Sequence, residues 1–69
     1  MNKNWQKVYA SESNMKAAIV EHLLQANGIQ VVKLNKRDSA YGTFGEIELL
    51  VKDGDVIMAK HIIAKAKNE

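Results

Sequence analysis

The chain has 69 residues and no cysteine, and its 10 lysine and arginine residues outnumber 8 aspartate and glutamate residues, for a net charge of +2. This length predicts one small domain over residues 1–69 and excludes a cleft between two domains. The absence of cysteine excludes disulfides, thiolate zinc sites and cysteine nucleophiles, and it indicates a reducing, cytoplasmic compartment. We expect no secretion signal, because the start is polar, and no membrane-spanning run.

The first two predicted elements are a strand and an amphipathic helix. Residues 4–10 are rich in aromatic and β-branched side chains, which favours a strand. The spacing of the next apolar residues predicts a helix over 13–26, with Ser11 or Ser13 as its N-cap and Gly28 just beyond its end. Its predicted core stripe consists of Met15, Ala18, Ile19, His22, Leu23 and Ala26, widened by Val20 and Leu24.

Two more strands and a second helix follow. Residues 29–35 and 45–51 alternate apolar and polar side chains, which predicts two strands. A hairpin centred near residues 39–40 would set Lys33 opposite Glu46. After an acidic turn, apolar residues recur at helical spacing to about residue 67. The apolar residues of this second helix are Val56, Ala59, Ile63 and Ala66, flanked by Ile57 and Ile62.

The order of elements, βαββα, is typical of an α+β fold. It predicts a ferredoxin-like two-layer sandwich that lacks the fourth strand, with both helices on one face of a three-stranded sheet. The covered face is predicted to carry Val8, Val32, Leu34, Ile47, Leu49 and Val51. The open face is predicted to carry Trp5, Tyr9, Val31, Lys33, Glu46 and Glu48.

Between residue 5 and about residue 63, mainly apolar core positions and a helix-ending glycine occur in a characteristic order and spacing. These positions are Trp5, Val8 and Tyr9, then Ala18, Leu23 and Leu24, then Asn27, Gly28 and Ile29, then the run 45–51, and finally Ala59, Ile62 and Ile63. In this order and spacing the chain resembles the putative prokaryotic signal-transducing protein family. The resemblance implies a small bacterial domain with a fold similar to the nitrogen-regulatory PII proteins, which form oligomers. It implies no catalytic residues and, because the loop between strands two and three is short and the last strand is missing, no nucleotide cofactor.

Few residues of this chain are candidates for chemistry. His22 and His61 are the only imidazoles, and a metal site needs at least one further ligand. Glu46 and Glu48 project from the same strand face, as a carboxylate pair would, but pairing with Lys33 on a solvated face is the favoured explanation. We therefore expect no enzyme, no metal and no cofactor.

The sequence favours a protein-interaction or regulatory module that acts through its open sheet face and the loop between strands two and three. The partner is expected to be a second copy of the chain, as a dimer or higher oligomer, or another protein. An alternative is single-stranded RNA binding by outward aromatic residues, although the two glutamates would repel phosphates. The candidate partner-binding residues are Trp5, Tyr9, Lys33, Lys36, Arg37, Asp38, Tyr41, Glu46 and Glu48.

Overall fold

The computed structural model describes residues 4–35 and 46–67, which form three strands and two helices in the predicted order. The elements are β1 (Trp5–Ser11), α1 (Asn14–Ala26), β2 (Val31–Asn35), β3 (Ile47–Lys52) and α2 (Val56–Lys67), with one 3₁₀ turn (Asp53–Asp55) before α2. Each predicted boundary lies within two residues of the observed one. The predicted hairpin loop, with Lys36, Arg37, Asp38 and Tyr41, lies outside the described residues.

The three strands form one antiparallel sheet in the order β1-β3-β2. The central strand β3 pairs with β1 on one side and with β2 on the other. Alternate residues of β3 are buried, namely Ile47, Leu49 and Val51, because that side of the sheet carries both helices. This α+β arrangement is compatible with a ferredoxin-like sandwich.

The hydrophobic core lies between the sheet and the two helices. Ala17 of α1 and Ala59 of α2 are completely buried. A small side chain at each position lets the helix backbone approach the layer beneath it. The main core cluster consists of Val20, Leu24, Ile29, Leu49, Val51, Ala59 and Ile63.

Two serines define the start of α1. The Oγ atom of Ser13 accepts a hydrogen bond from the backbone N–H of Lys16 at 3.2 Å, which makes Ser13 the N-cap. The Oγ atom of Ser11 accepts from the N–H of Ser13 at 3.0 Å. Both predicted capping serines therefore take part, and Ser11 acts by holding the cap residue.

A glycine in the left-handed conformation ends α1. Gly28 has a φ of 80°, which a residue with a Cβ atom adopts only at a cost. Its N–H donates to the carbonyl of Gln25 at 2.9 Å, and the N–H of Ile29 donates to the carbonyl of Leu24 at 3.0 Å. This pair of bonds is a Schellman motif, and the burial of Ile29 and Leu24 adds its usual apolar contact.

The buried stripe of α1 differs from the predicted one. Ala17, Val20 and Leu24 are buried, whereas Met15 is 72% exposed and Ile19 is 58% exposed. Apolar residues occupy most of the circumference of this helix, so their spacing alone does not select one face. The prediction was wrong for Met15, Ala18, Ile19, His22 and Ala26, all of which are exposed.

The register of β2 against β3 also differs from the prediction. Lys33 pairs with Leu49, not with Glu46, and Val32 pairs with Leu50. The shift of three residues is an odd number, so it exchanges the two faces of β2. Both faces of β2 carry apolar side chains, and alternation therefore did not identify the buried one. As a result, Val32 and Leu34 lie on the open face, and Val31 and Lys33 lie on the helix side.

A β-bulge in β1 accounts for a third difference. The register shifts between Lys7 and Tyr9, which leaves Val8 as the extra residue. Both Val8 and Tyr9 pack against the core cluster, so strict alternation is broken at this point. The prediction that Tyr9 lies on the open face was wrong for this reason. Trp5, before the bulge, pairs with Lys52 and stays on the open face.

Candidate functional site

The sheet face opposite the two helices is the main candidate surface. Cross-strand partners point to the same side of a sheet, so the register determines which side chains share this face. The open face, as the term is used below, consists of Trp5, Lys7, Ala10, Val32, Leu34, Glu48, Leu50 and Lys52.

The half of the open face formed by β1 and β3 is charged and aromatic. The Nζ atom of Lys7 lies 3.6 Å from Oε2 of Glu48, whose side chain is only 13% exposed. The Nζ atom of Lys52 lies 6.0 Å from the centroid of the Trp5 ring, at the outer limit of a cation–π contact. This half therefore presents both signs of charge close to one large aromatic side chain.

The half formed by β2 and β3 is apolar. Val32 is 37% exposed and Leu34 is 41% exposed, and the half-buried Leu50 is the cross-strand partner of Val32. Apolar side chains grouped beside a polar rim are typical of protein interfaces. The register error hid this patch from sequence reasoning, because it assigned Val32 and Leu34 to the core.

The structure separates the predicted site residues into several groups. Trp5 and Glu48 lie on the open face, as predicted. Glu46 is exposed and precedes β3. Tyr9 and Lys33 lie on the helix side, so their predicted place on the open face was wrong. The alternative hypothesis of RNA binding therefore loses Tyr9 as an outward aromatic residue on which a base could stack. The partner-binding role of the open-face residues stays a prediction.

The described residues show no arrangement of metal ligands or catalytic groups. No group of three or more histidine, cysteine, aspartate or glutamate residues comes together within 4–35 and 46–67. His22 and His61 are exposed and lie on different helices. In the same part of the chain no polar or charged residue is buried, and neither helix has the length and apolar character that crossing a bilayer requires.

Comparison with known proteins identifies a family. No curated protein and no solved structure matches the chain. A family model described as putative prokaryotic signal transducing protein matches residues 5–67. The match spans all three strands and both helices, and it confirms the resemblance inferred from the order of core residues. The chain therefore belongs to the putative prokaryotic signal-transducing protein family.

Proposed function

We propose that this protein is a non-catalytic module of a signal-transduction route and that two copies of it associate through their open faces. The family description supports the signalling role. The observation that carries the proposed interface is the exposure of Val32 and Leu34 beside a group of opposite charges. In this proposal Lys36 and Arg37, which lie outside the described residues, also contribute to partner binding.

The proposal also assigns the chain a PII-like fold, that is, a ferredoxin-like sandwich. It places the protein in the bacterial cytoplasm. The strand order β1-β3-β2 supports this fold, because a split βαβ unit places the third strand between the first two. PII proteins are oligomers, which agrees with association between copies. A chain without cysteine is well suited to a reducing compartment.

The charges of the open face make it complementary to itself. Lys7 and Lys52 are cationic, and Glu48 on the same face is anionic. A two-fold axis places the same patch on both subunits, so Lys52 of one copy can approach the Lys7–Glu48 ion pair of the other. The apolar half of each face would then meet the apolar half of its partner.

The sheet edges are less suitable for association than the open face. The edge strand β1 is bent by a β-bulge in its pairing with β3, and the edge strand β2 carries Lys33, whose side chain points toward the helix layer. Both features are known means by which proteins prevent edge-to-edge pairing. Association through the open face needs no change at either edge.

A small domain benefits from such an interface. The core of a chain this short supplies only about 3 to 5 kcal/mol of stability. Burying apolar surface adds about 25 cal/mol per Å² before the entropy of association is subtracted. Dimerisation therefore links the stability of the fold to protein concentration.

Sedimentation equilibrium across a concentration series tests the proposal. The intact chain is expected to approach twice its mass of 7.7 kDa. Leu34→Lys places a charge in the apolar half and is expected to shift the chain toward the monomer. Ile57→Lys is the matched control, because Ile57 is 85% exposed and lies on α2, away from the open face.

Several results would contradict this proposal. One is a monomer at every concentration, and another is a dimer that Leu34→Lys leaves intact. Equal weakening by Ile57→Lys would move the interface to the helix layer. Should Leu34→Lys lose its helical circular dichroism signal, Val32→Ser tests the same half of the face with a smaller change.

A further inference from the structure

The surface of the helix layer contains an open groove between α1 and α2. Its volume is about 500 Å³, and Leu23 and Ile62 form part of its apolar lining. Met58, which is 56% exposed, contributes a flexible apolar side chain. The groove is lined by Leu23 and Asn27 of α1 and by Met58, His61, Ile62, Lys65 and Ala66 of α2. It is termed the helix groove below.

Among the residues that line the helix groove, Lys65 is cationic and none is acidic. Helix α2 carries Lys60, Lys65 and Lys67 and no acidic residue. The acidic residue of α1 is Glu21, and its carboxylate lies 3.7 Å from Nζ of Lys33 on the sheet. The anion of the helix layer is therefore already engaged on the sheet side, while the lysines of α2 are exposed to solvent.

We propose that the helix groove binds an acidic amphipathic helix of a partner protein. The apolar side of such a helix covers Leu23, Met58 and Ile62, and its glutamate or aspartate side chains face Lys65. This inference goes beyond the proposed dimer and does not depend on it, because the open face lies on the other side of the sheet.

The shape of the groove favours a helix. Two packed helices form a trough, and an amphipathic helix binds in such a trough through apolar side chains spaced three or four residues apart. Met58 and Ile62 are four residues apart on α2 and present this spacing to the ligand. Methionine is common at surfaces of this kind because its side chain adapts to different ligands.

Two other occupants fit the helix groove less well. A second copy of the same helix layer, packed groove to groove, would bring the two Lys65 side chains close to one another, and like charges repel. An anionic membrane binds amphipathic helices through a projecting apolar side rather than a concave one. Ile57, the most exposed apolar residue of α2, lies outside the groove lining.

Fluorescence anisotropy with designed peptides tests the proposal on the intact chain. The probe is a labelled helical peptide with leucine at spacings of three and four and glutamate at the remaining positions. A matched peptide carries lysine in place of every glutamate. Vesicles containing phosphatidylglycerol, followed by co-sedimentation, test the membrane alternative. We expect the glutamate peptide to bind, with an affinity that falls as salt is raised, and the other two probes to bind at least about tenfold more weakly.

Two pairs of variants locate the binding site. Met58→Ser and Lys65→Glu alter the groove lining, and each is expected to weaken binding of the glutamate peptide about tenfold. Ile57→Ser and Lys60→Glu make the same changes at exposed positions of α2 that do not line the groove, and binding should change less than about twofold. Leu34→Lys, which targets the open face, should leave peptide binding unchanged.

The same measurements can overturn the proposal. Equal binding of the lysine peptide would remove the charge argument. Binding to vesicles but not to the glutamate peptide would favour a membrane surface instead. Losses at Ile57→Ser and Lys60→Glu as large as those at Met58→Ser and Lys65→Glu, or no binding of any probe, would also overturn it. Circular dichroism of each variant separates lost binding from lost folding.

Discussion

The Nζ atom of Lys33 lies 3.7 Å from Oε1 of Glu21, so a lysine in the middle of an edge strand points toward the helix layer. Its side chain is 45% exposed and that of Glu21 is 23% exposed. An ion pair of this exposure contributes only about 0 to 1 kcal/mol to stability. An inward charge on an edge strand has a second effect, because it makes pairing with another sheet unfavourable.

Replacing this lysine is therefore expected to change association more than stability. Lys33→Val removes the charge and adds a β-branched side chain to the edge of the sheet. We expect the free energy of unfolding to change by no more than about 1 kcal/mol. We also expect light scattering to detect species larger than those of the wild type. Lys33→Arg keeps the charge and should behave as the wild type. If Lys33→Val associates no further than Lys33→Arg, the edge-protection argument fails.

A matched pair of substitutions tests which face of α1 is buried. Ala17 is completely buried and its neighbour Ala18 is exposed, although the spacing of apolar residues predicted the reverse. Ala17→Leu is expected to overpack the core and to lower the free energy of unfolding by about 1 to 3 kcal/mol. Ala18→Leu makes the same change in helix propensity and should cost less than about 0.5 kcal/mol. Urea denaturation of both variants checks this, and a larger loss at Ala18 would restore the predicted stripe.

Local signals explain why the order of elements was predictable. Ser13 and Gly28 act through their own backbone neighbours, as a helix cap and as a left-handed residue, so the limits of α1 follow from nearby residues alone. The alternation in β3 was also reliable, because one side of a central strand is buried against the helices. These features depend on short stretches of chain.

The faces of the other elements depend on distant contacts. In β2, Val31 and Val32 are adjacent and equally apolar, so only pairing with β3 determines which one faces the core. In β1, the bulge at Val8 arises from the match between two strands that are far apart in sequence. The presence of an open sheet face could therefore be predicted from the sequence, but its members could be predicted only in part.

The bulge leads to a prediction that separates two aromatic residues of β1. Tyr9 packs against the core cluster, and Trp5 lies on the open face near Lys52. Tyr9→Ala removes a partly buried ring and is expected to lower the free energy of unfolding by about 2 to 4 kcal/mol. Trp5→Ala loses an exposed cation–π contact, which is worth about 0.5 to 1 kcal/mol. Thermal unfolding of dilute samples, where association is suppressed, compares the two. Equal losses would place both rings in the same environment, against the observed register.

The two glycines of the described residues provide the last prediction, because both have open space around them but they differ in backbone conformation. A Cβ atom built on Gly28 or on Gly54 meets no other atom within 4 Å, so neither substitution creates a clash. Gly28 has a φ of 80°, and an alanine in that region costs about 1 to 2 kcal/mol. Gly54 has no left-handed φ, so alanine there reduces the entropy of the unfolded chain and should stabilise by about 0.4 to 1 kcal/mol.

We therefore expect Gly28→Ala to lower the midpoint of urea denaturation and Gly54→Ala to leave it unchanged or raise it. Gly28→Asn serves as a further control, since asparagine tolerates the left-handed conformation better than alanine does. Its midpoint should lie between those of Gly28→Ala and the wild type. If Gly28→Ala and Gly54→Ala shift the midpoint equally, the left-handed residue does not limit the stability of α1, and the Schellman bonds from Gly28 and Ile29 contribute little.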